Sequence, residues 1–182
     1  GAFMGVGQRE KATQKRVIRL FAQELGYTYL GDFTERKNSN IETELLTKFL
    51  TRKGYSPVLI SRALKELQDA AGDQSVNLYD LNEQTYKKLR YGVKVSDSVG
   101  QHKITVQFVD WEHPLENDFY IAEEVTIKHK RPDLVLYING IAFAVIELKR
   151  STVSMSEGIR QNLTNQRPDM IMQFFATIGL VL

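Results

Sequence analysis

Hydrophobic residues in the first half of the chain recur every three or four positions. Over residues 13–25 this spacing, with lysines and arginines on the other side, predicts an amphipathic helix that ends at Gly26. Ser56 and Pro57 are typical of a helix start, because serine caps the first turn and proline suits its first position. The same spacing elsewhere predicts three further helices, over residues 41–53, 57–71 and 81–90.

After Gly92 the hydrophobic pattern changes from helical spacing to alternation. The alternating segments predict four strands, over residues 103–108, 119–128, 134–138 and 141–148. Asn139 and Gly140 separate the last two strands and are typical of a two-residue hairpin turn. The last two strands are therefore predicted to pair directly with each other.

A short helix is predicted after the strands, beginning at Ser154 or Ser156 and ending at Arg167, where Pro168 stops it. The order of helices, antiparallel strands and a helix predicts an α/β (α+β) fold with a central mixed β-sheet flanked by helices. At 182 residues the chain is long enough for one domain with a sizeable hydrophobic core.

We interpret this single domain, residues 1–182, as four consecutive parts. Residues 1–3 are interpreted as a tag remnant, residues 4–91 as a mainly helical part and residues 92–167 as the β-sheet core. Residues 168–182 are strongly apolar, and such a surface is costly to expose to water. They are interpreted as the start of a connection to a further domain.

The composition favours a globular intracellular protein. Hydrophobic residues make up 42% and charged residues 25% of the chain, close to globular averages, which argues against both disorder and a membrane protein. No apolar run approaches the roughly 18 residues that a membrane span needs, so no membrane partner is expected. Cysteine is absent, which excludes disulfides and thiolate metal sites and agrees with a cytoplasmic location.

Charge is distributed unevenly along the chain. Residues 1–65 carry 12 Lys and Arg against 6 Asp and Glu, whereas residues 66–182 carry 12 against 16. The basic first part permits contact with nucleic-acid phosphates. A solvated basic helix surface explains the same pattern, and charge alone does not separate the two explanations.

The predicted hairpin concentrates the candidate chemistry. Glu147 and Lys149 are two positions apart on a predicted strand, so their side chains should project from the same face. The Asn-Gly turn pairs the two strands antiparallel, which brings Asp133, near the start of the first strand, opposite the end of the second. The sequence thus predicts a compact cluster of two carboxylates and one ammonium group.

This cluster suits a divalent cation and a phosphate. Two neighbouring carboxylates repel each other, and a hard cation such as Mg²⁺ relieves that repulsion. A bound Mg²⁺ can polarise a phosphoryl oxygen and acidify a water, while a nearby lysine orients that water or offsets negative charge. Alternating charge at a solvated strand edge would also explain Glu147 and Lys149. The continuously apolar residues 142–146 favour a covered central strand instead.

Glu42 is a separate candidate at the start of the second predicted helix. It projects near the middle of the apolar stripe of that helix, which comprises Ile41, Leu45, Leu46, Phe49 and Leu50. A carboxylate facing the core is costly unless a cation or hydrogen bonds receive it. A capping or frayed position at the helix start explains Glu42 equally well.

Three phrases in the second half carry a family resemblance, and the first of them is far more specific than the charged cluster itself. They are Asp110-x-x-x-Pro114-x-x-Asn117-x-Phe119, then Arg131-Pro132-Asp133 leading to Asn139-Gly140, and finally Ile146-Glu147-Leu148-Lys149-Arg150. Together they resemble the N-terminal nuclease region of type I restriction enzyme motor (R) subunits, in the PD-(D/E)XK superfamily. The resemblance is close over residues 108–150 and looser over residues 8–175, and it implies a restriction-endonuclease-like core.

By this resemblance, Asp133 and Glu147 would be the metal ligands and Lys149 the catalytic lysine, with Glu42 matching the acid on an early helix. The implied activity is hydrolysis of double-stranded DNA by a type I site-specific deoxyribonuclease. Mg²⁺ would be the cofactor, with Mn²⁺ as a substitute. The cleavage itself would be nonspecific in sequence and would follow stalling of the parent motor.

The family also carries a Gln-x-x-x-Tyr pattern on the helix after the core. Gln161 matches its first position and is a further candidate site residue, whereas Asn165 stands where Tyr is expected. The two residues lie one helical turn apart, so a polar helix face would explain them as well. The sequence therefore departs from the family pattern at this one position of the site.

The resemblance also implies partners outside this chain. Such subunits contain a motor driven by ATP and work with modification and specificity subunits. No Gly-x-x-x-x-Gly-Lys-Ser/Thr sequence occurs here, so ATP is expected only in the missing motor part. The alternative is a catalytically silent DNA-binding or subunit-docking domain of the same kind of complex, and metal binding separates the two hypotheses.

Overall fold

The computed structural model describes residues 5–72, 83–127, 130–150 and 152–155. Within these ranges the α-helices are Val6–Gln23 (α1), Thr43–Arg52 (α2), Pro57–Ala71 (α3) and Glu83–Tyr91 (α4), and a short 3-10 helix is Pro114–Glu116. The strands are Thr28–Asp32 (β1), Val93–Val95 (β2), Ile104–Val106 (β3), Phe119–Glu123 (β4), Leu134–Ile138 (β5), Ile141–Glu147 (β6) and Thr152–Met155 (β7). None of the helices in these ranges is long and apolar enough to cross a membrane.

Five strands form one mixed sheet in the order β1-β4-β5-β6-β7. β1 pairs parallel with β4, and the other neighbours are antiparallel. β2 and β3 form a separate two-stranded sheet. The predicted class, a mixed α/β fold with helices flanking a central sheet, is confirmed.

The central strands are covered on both faces. One face of β5 and β6 packs through Leu134, Leu136 and Ile146 into a core that also receives the apolar sides of α1, α2 and α3. The other face carries Val135 and Val145 into a second, smaller apolar cluster. Every residue of β5 is buried, as expected for a strand in the middle of a sheet.

The predicted hairpin between β5 and β6 is confirmed. Asn139 and Gly140 have positive φ angles of 53° and 91°, the backbone that a two-residue turn requires. A Cβ atom at position 140 would stand 2.6 Å from the carbonyl oxygen of Glu42, so this position also needs glycine for lack of space. The turn starts the pairing with Ile138 opposite Ile141, and an extra residue, Phe143, then shifts the register by one, so that Leu134 lies opposite Ile146.

The phrase around Asn117 has a structural role at the same turn. The Asn139 side chain donates to the carbonyl of Phe108 and to Oδ1 of Asn117, both at 2.9 Å. Asn117 in turn accepts from the N–H of Asp110 at 2.8 Å and donates back to the Asp110 carbonyl. This buried amide network holds the segment before β4 against the hairpin turn.

Several predicted boundaries were wrong. The strand predicted over residues 119–128 ends at Glu123, because Glu124 has a φ of 58°, which a β-strand does not accommodate. The strand predicted to end at Leu148 ends at Glu147, where a turn begins. β1 was not predicted, since a shift in register and Gly31 break its alternation, and β7 occupies residues where only the start of a helix was expected. The remainder of that predicted helix lies outside the described residues.

Candidate active site

Asp133 and Glu147 lie opposite each other at the end of the β5–β6 hairpin. Leu134 pairs with Ile146, so the next residues outward along the two strands are Asp133 and Glu147. The Asp133 carboxylate accepts a hydrogen bond of 2.7 Å from the backbone N–H of Leu148, which directly follows Glu147. The structure thus brings together the two carboxylates that the sequence placed side by side.

The charge of this pair is poorly compensated. Burial raises the pKa of Glu147 above its ordinary value, the negative charge of Asp133 raises it further, and Arg150 acts in the opposite direction without cancelling the rise. Among the described residues, none donates a hydrogen bond to the Glu147 carboxylate. Two partly buried acids with open oxygen atoms remain, an arrangement that a cation would stabilise.

The oxygen donors of the pair suit Mg²⁺. No group of three or more His, Cys, Asp or Glu residues that could hold a metal occurs in the described part of the chain. Mg²⁺ does not need such a group, because it is commonly held by one or two carboxylates together with waters and substrate phosphates. The two carboxylates of Asp133 and Glu147 therefore fit that ion as a shared, incomplete ligand set.

Lys149 is close to this pair in sequence but is placed differently from the expectation. β6 ends at Glu147, and residues 148–150 form a turn, so strand alternation does not extend to Lys149. Its side chain is exposed, and no ion pair joins it to a described carboxylate. Strand alternation therefore does not decide which way the Lys149 side chain points, and the role of Lys149 in the site stays a prediction.

Glu42 lies at the other end of the hairpin. It precedes the first turn of α2 as the N-cap residue, and its N–H donates to the carbonyl of Gly140 at 2.7 Å. The length of β6, about 20 Å, separates this backbone position from Glu147. Its carboxylate pairs with Arg36 at 3.0 Å. The structure does not bring Glu42 to the Asp133–Glu147 pair. The helix that was expected to include Glu42 begins at Thr43, the residue after it.

Gln161, the remaining candidate, lies outside the described residues together with Asn165. Its contribution to the site stays a prediction.

A second group of charged residues was not predicted as a unit. We define the Glu123–Glu124 cluster as these two acids at the end of β4 with the side chains that bind them, namely Lys11, Gln14, Lys15, Tyr29 and Arg131. Both acids are buried, with 1% of Glu123 and 8% of Glu124 exposed. The visible signals were two adjacent acids in a predicted strand and lysines on the first helix, but nothing local indicated that they meet.

Every acid of this cluster is neutralised. Lys15 binds Glu123 at 2.9 Å, and the Tyr29 hydroxyl donates to the same carboxylate. Glu124 receives Lys11, Arg131 at 2.8 Å and Gln14 at 3.3 Å. Burial alone would raise the pKa of Glu124, but these donors outweigh burial and hold the pKa below its ordinary value.

Comparison with known proteins gives two matches. The family described as type I restriction enzyme R protein N terminus matches residues 7–182. A protein of Methanocaldococcus jannaschii, whose name describes it as the endonuclease subunit of the type I restriction enzyme MjaIXP, is 27% identical over 144 residues. That match covers 70% of this chain but 14% of the relative, so the chain spans a small part of the relative's length. No solved structure matches the chain significantly.

Proposed function

The chain belongs to the family of type I restriction enzyme R protein N termini, and from this premise we propose that it is the nuclease domain of such a subunit. The proposed activity is Mg²⁺-dependent endonucleolytic hydrolysis of DNA phosphodiester bonds. In the whole subunit, cleavage would be coupled to an ATP-driven translocase outside residues 1–182.

The observation that carries the proposal is the pairing of Asp133 with Glu147. Their carboxylates lie across two antiparallel strands with open oxygen atoms and little compensating charge. When bound, Mg²⁺ supplies Lewis-acid polarisation of the scissile phosphate and a more acidic water. Asp133 and Glu147 would hold the ion and thereby fix the position of the phosphate.

Three further residues have proposed roles in the same reaction. The Lys149 ammonium would orient the attacking water or offset negative charge in the transition state. Glu42 and Gln161 would complete the site. For Glu42 this requires its carboxylate to leave Arg36. It also requires the carboxylate to cross the roughly 20 Å that separate its backbone from Glu147.

Double-stranded DNA is the proposed substrate, and modification and specificity subunits are the proposed partners. Arg16 and Arg19 support contact with DNA phosphates. Both are exposed on α1, and neither pairs with a carboxylate among the described residues. Phosphate contacts carry no sequence information, so we expect the domain to bind DNA without sequence preference.

A catalytically silent docking or DNA-binding domain is the second candidate. It is favoured by the separation of Glu42 from Glu147 and by the absence of any described carboxylate partner for Lys149. Such a domain would keep the fold and the partners but would have no use for a metal ion.

Calorimetric titration with Mn²⁺ separates the two candidates. We expect the chain to bind Mn²⁺ and the Asp133→Ala variant to lose that binding. Asp69→Ala is the matched control, because Asp69 is an exposed acid on α3 that pairs with Lys65. Absence of binding in the unmodified chain, or equal binding in Asp133→Ala, would contradict the nuclease proposal and support the silent domain.

A further inference from the structure

Glu124 has an unusual backbone for a buried acid. It follows β4 directly and has a φ of 58°, a conformation that side chains larger than glycine rarely adopt outside asparagine and aspartate. Such a conformation persists only where surrounding interactions hold it in place. Several interactions of Glu124 meet this requirement.

The turn at Glu124 directs its backbone and its side chain onto the same short segment. The Glu124 N–H donates to the carbonyl of Asp133 at 3.2 Å. Its carboxylate accepts from Nε of Arg131 at 2.8 Å. Residues 131–133 are therefore held at two points, one at each end of Pro132.

The same residue is anchored to the rest of the fold from the opposite side. Lys11 and Gln14, both on α1, bind the Glu124 carboxylate. Because α1 packs into the main core through Ile18 and Phe21, the two restraints on residues 131–133 lead back to a rigid element. Asp133 thus has a fixed backbone on one side, and its carboxylate reaches the Leu148 N–H on the other.

We propose that Glu124 is a positioning residue, which holds the segment Arg131-Pro132-Asp133 so that the Asp133 carboxylate stays opposite Glu147. What the carboxylates bind rests on the proposed function, whereas the positioning itself does not. Ligand-orienting residues of this kind typically change metal affinity by about 10- to 100-fold when they are removed.

Glu123 supplies a matched control within the same cluster. It is as buried as Glu124 and binds as many partners, but these lie on α1 and β1, namely Lys15, Gln14 and Tyr29. None of its side-chain bonds among the described residues reaches residues 131–133. Loss of Glu123 should therefore weaken the fold without releasing Asp133.

The test is amide hydrogen exchange measured by NMR, which needs no metal. In Glu124→Ala we expect the Leu148 N–H to exchange about 3- to 10-fold faster, relative to the N–H of Leu136 in the middle of β5, because its acceptor on Asp133 loses the restraint that the Glu124 carboxylate provides through Arg131 and keeps only the backbone bond to residue 124. In Glu123→Ala this ratio should stay within about twofold of the unmodified chain. Arg131→Gln should raise it as well, and this variant serves if Glu124→Ala does not fold, because Arg131 is half-exposed.

Two outcomes would overturn the positioning role. One is an unchanged Leu148-to-Leu136 ratio in Glu124→Ala or, if that variant does not fold, in Arg131→Gln. The other is an equal rise in Glu123→Ala. A Mn²⁺ titration of the same proteins adds an independent reading, with weaker binding expected in Glu124→Ala and little change in Glu123→Ala. An unmodified chain that binds no Mn²⁺ would contradict the proposed nuclease function alone, because the exchange ratio still decides the positioning role.

Discussion

Two pairs of acids lie at the same end of the central sheet, and the protein treats them in opposite ways. In the Glu123–Glu124 cluster, two lysines, an arginine, a glutamine and a tyrosine bind the carboxylates. At the Asp133–Glu147 pair, a backbone N–H binds Asp133 and no described residue donates to Glu147. Burying an acid is costly unless it is paired. The first pair therefore fits a structural role, and we propose that the second pair binds a cation.

The largest effect is expected when the Asp133–Glu147 pair loses one acid. Glu147→Gln removes one of two charged ligands while keeping the shape of the side chain, and we expect the affinity for Mn²⁺ to fall by more than about 100-fold. Titration calorimetry measures this directly. The same substitution in the Glu123–Glu124 cluster, Glu123→Gln, should leave the affinity for Mn²⁺ nearly unchanged. An equal fall in affinity in both variants would remove the distinction between the two pairs.

The next largest effect is on stability and concerns the Glu123–Glu124 cluster. Glu123→Gln leaves Lys15 without its charged partner and weakens the bond to Tyr29, so we expect the free energy of unfolding to drop by about 1–3 kcal/mol. Lys15 is 54% exposed and can turn to water, which keeps the loss below that of a fully buried pair. Urea denaturation provides the measurement. No loss of stability would show that the cluster does not hold α1 to the sheet.

A smaller effect concerns the positive charges of α1 that the cluster does not use. Replacing Arg16 and Arg19 by glutamine should weaken binding to a labelled DNA duplex by roughly tenfold at low salt and flatten the salt dependence by about two phosphate contacts. Fluorescence anisotropy over a range of salt concentrations measures both quantities. Lys94 and Lys103, exposed residues of the part of the chain around β2 and β3, give a control with the same change in charge. Equal weakening in both double variants would mean that net charge, rather than α1, governs binding.

The smallest effect is also on stability and has the opposite sign. Without metal, Glu147→Gln removes the repulsion between Glu147 and Asp133, so we expect unfolding to become harder by about 0.2–1 kcal/mol, the range for partly exposed charge pairs. Paired urea denaturations in the presence of a chelator measure this gain. A loss comparable with that of Glu123→Gln would place Glu147 among the structural acids.

The sequence predicted the Asp133–Glu147 pair because both residues belong to one hairpin and are close together in sequence. Asn139 and Gly140 specify the turn, which brings Asp133 back to the end of β6. The exact pairing of Asp133 with Glu147 also depends on a one-residue register shift at Phe143, which the sequence did not predict. Strand alternation could not predict the position of Lys149, because β6 ends at Glu147 and a turn follows it. The expected direction of Glu42 was wrong because α2 begins at Thr43, two residues after the predicted start, which leaves Glu42 as the N-cap residue.

The Glu123–Glu124 cluster could not be predicted in the same way. It joins α1, β1 and β4, which are distant in sequence. β1 pairs parallel with β4 through a register shift that cannot be recognised from the residues of β1. The positive φ of Glu124 depends on partners from α1 and from residues 131–133. Non-local pairing of this kind leaves little trace in the periodicity of a single sequence.

A crystal of the chain soaked in Mn²⁺ and measured for anomalous scattering would show whether Asp133 and Glu147 hold a metal together. We expect one strong peak bonded to carboxylate oxygens of both residues, at about 2.1 Å, and no peak at the Glu123–Glu124 cluster, whose oxygens are already bound. A well-ordered crystal with no peak between Asp133 and Glu147, or with the ion at the Glu123–Glu124 cluster, would contradict this expectation.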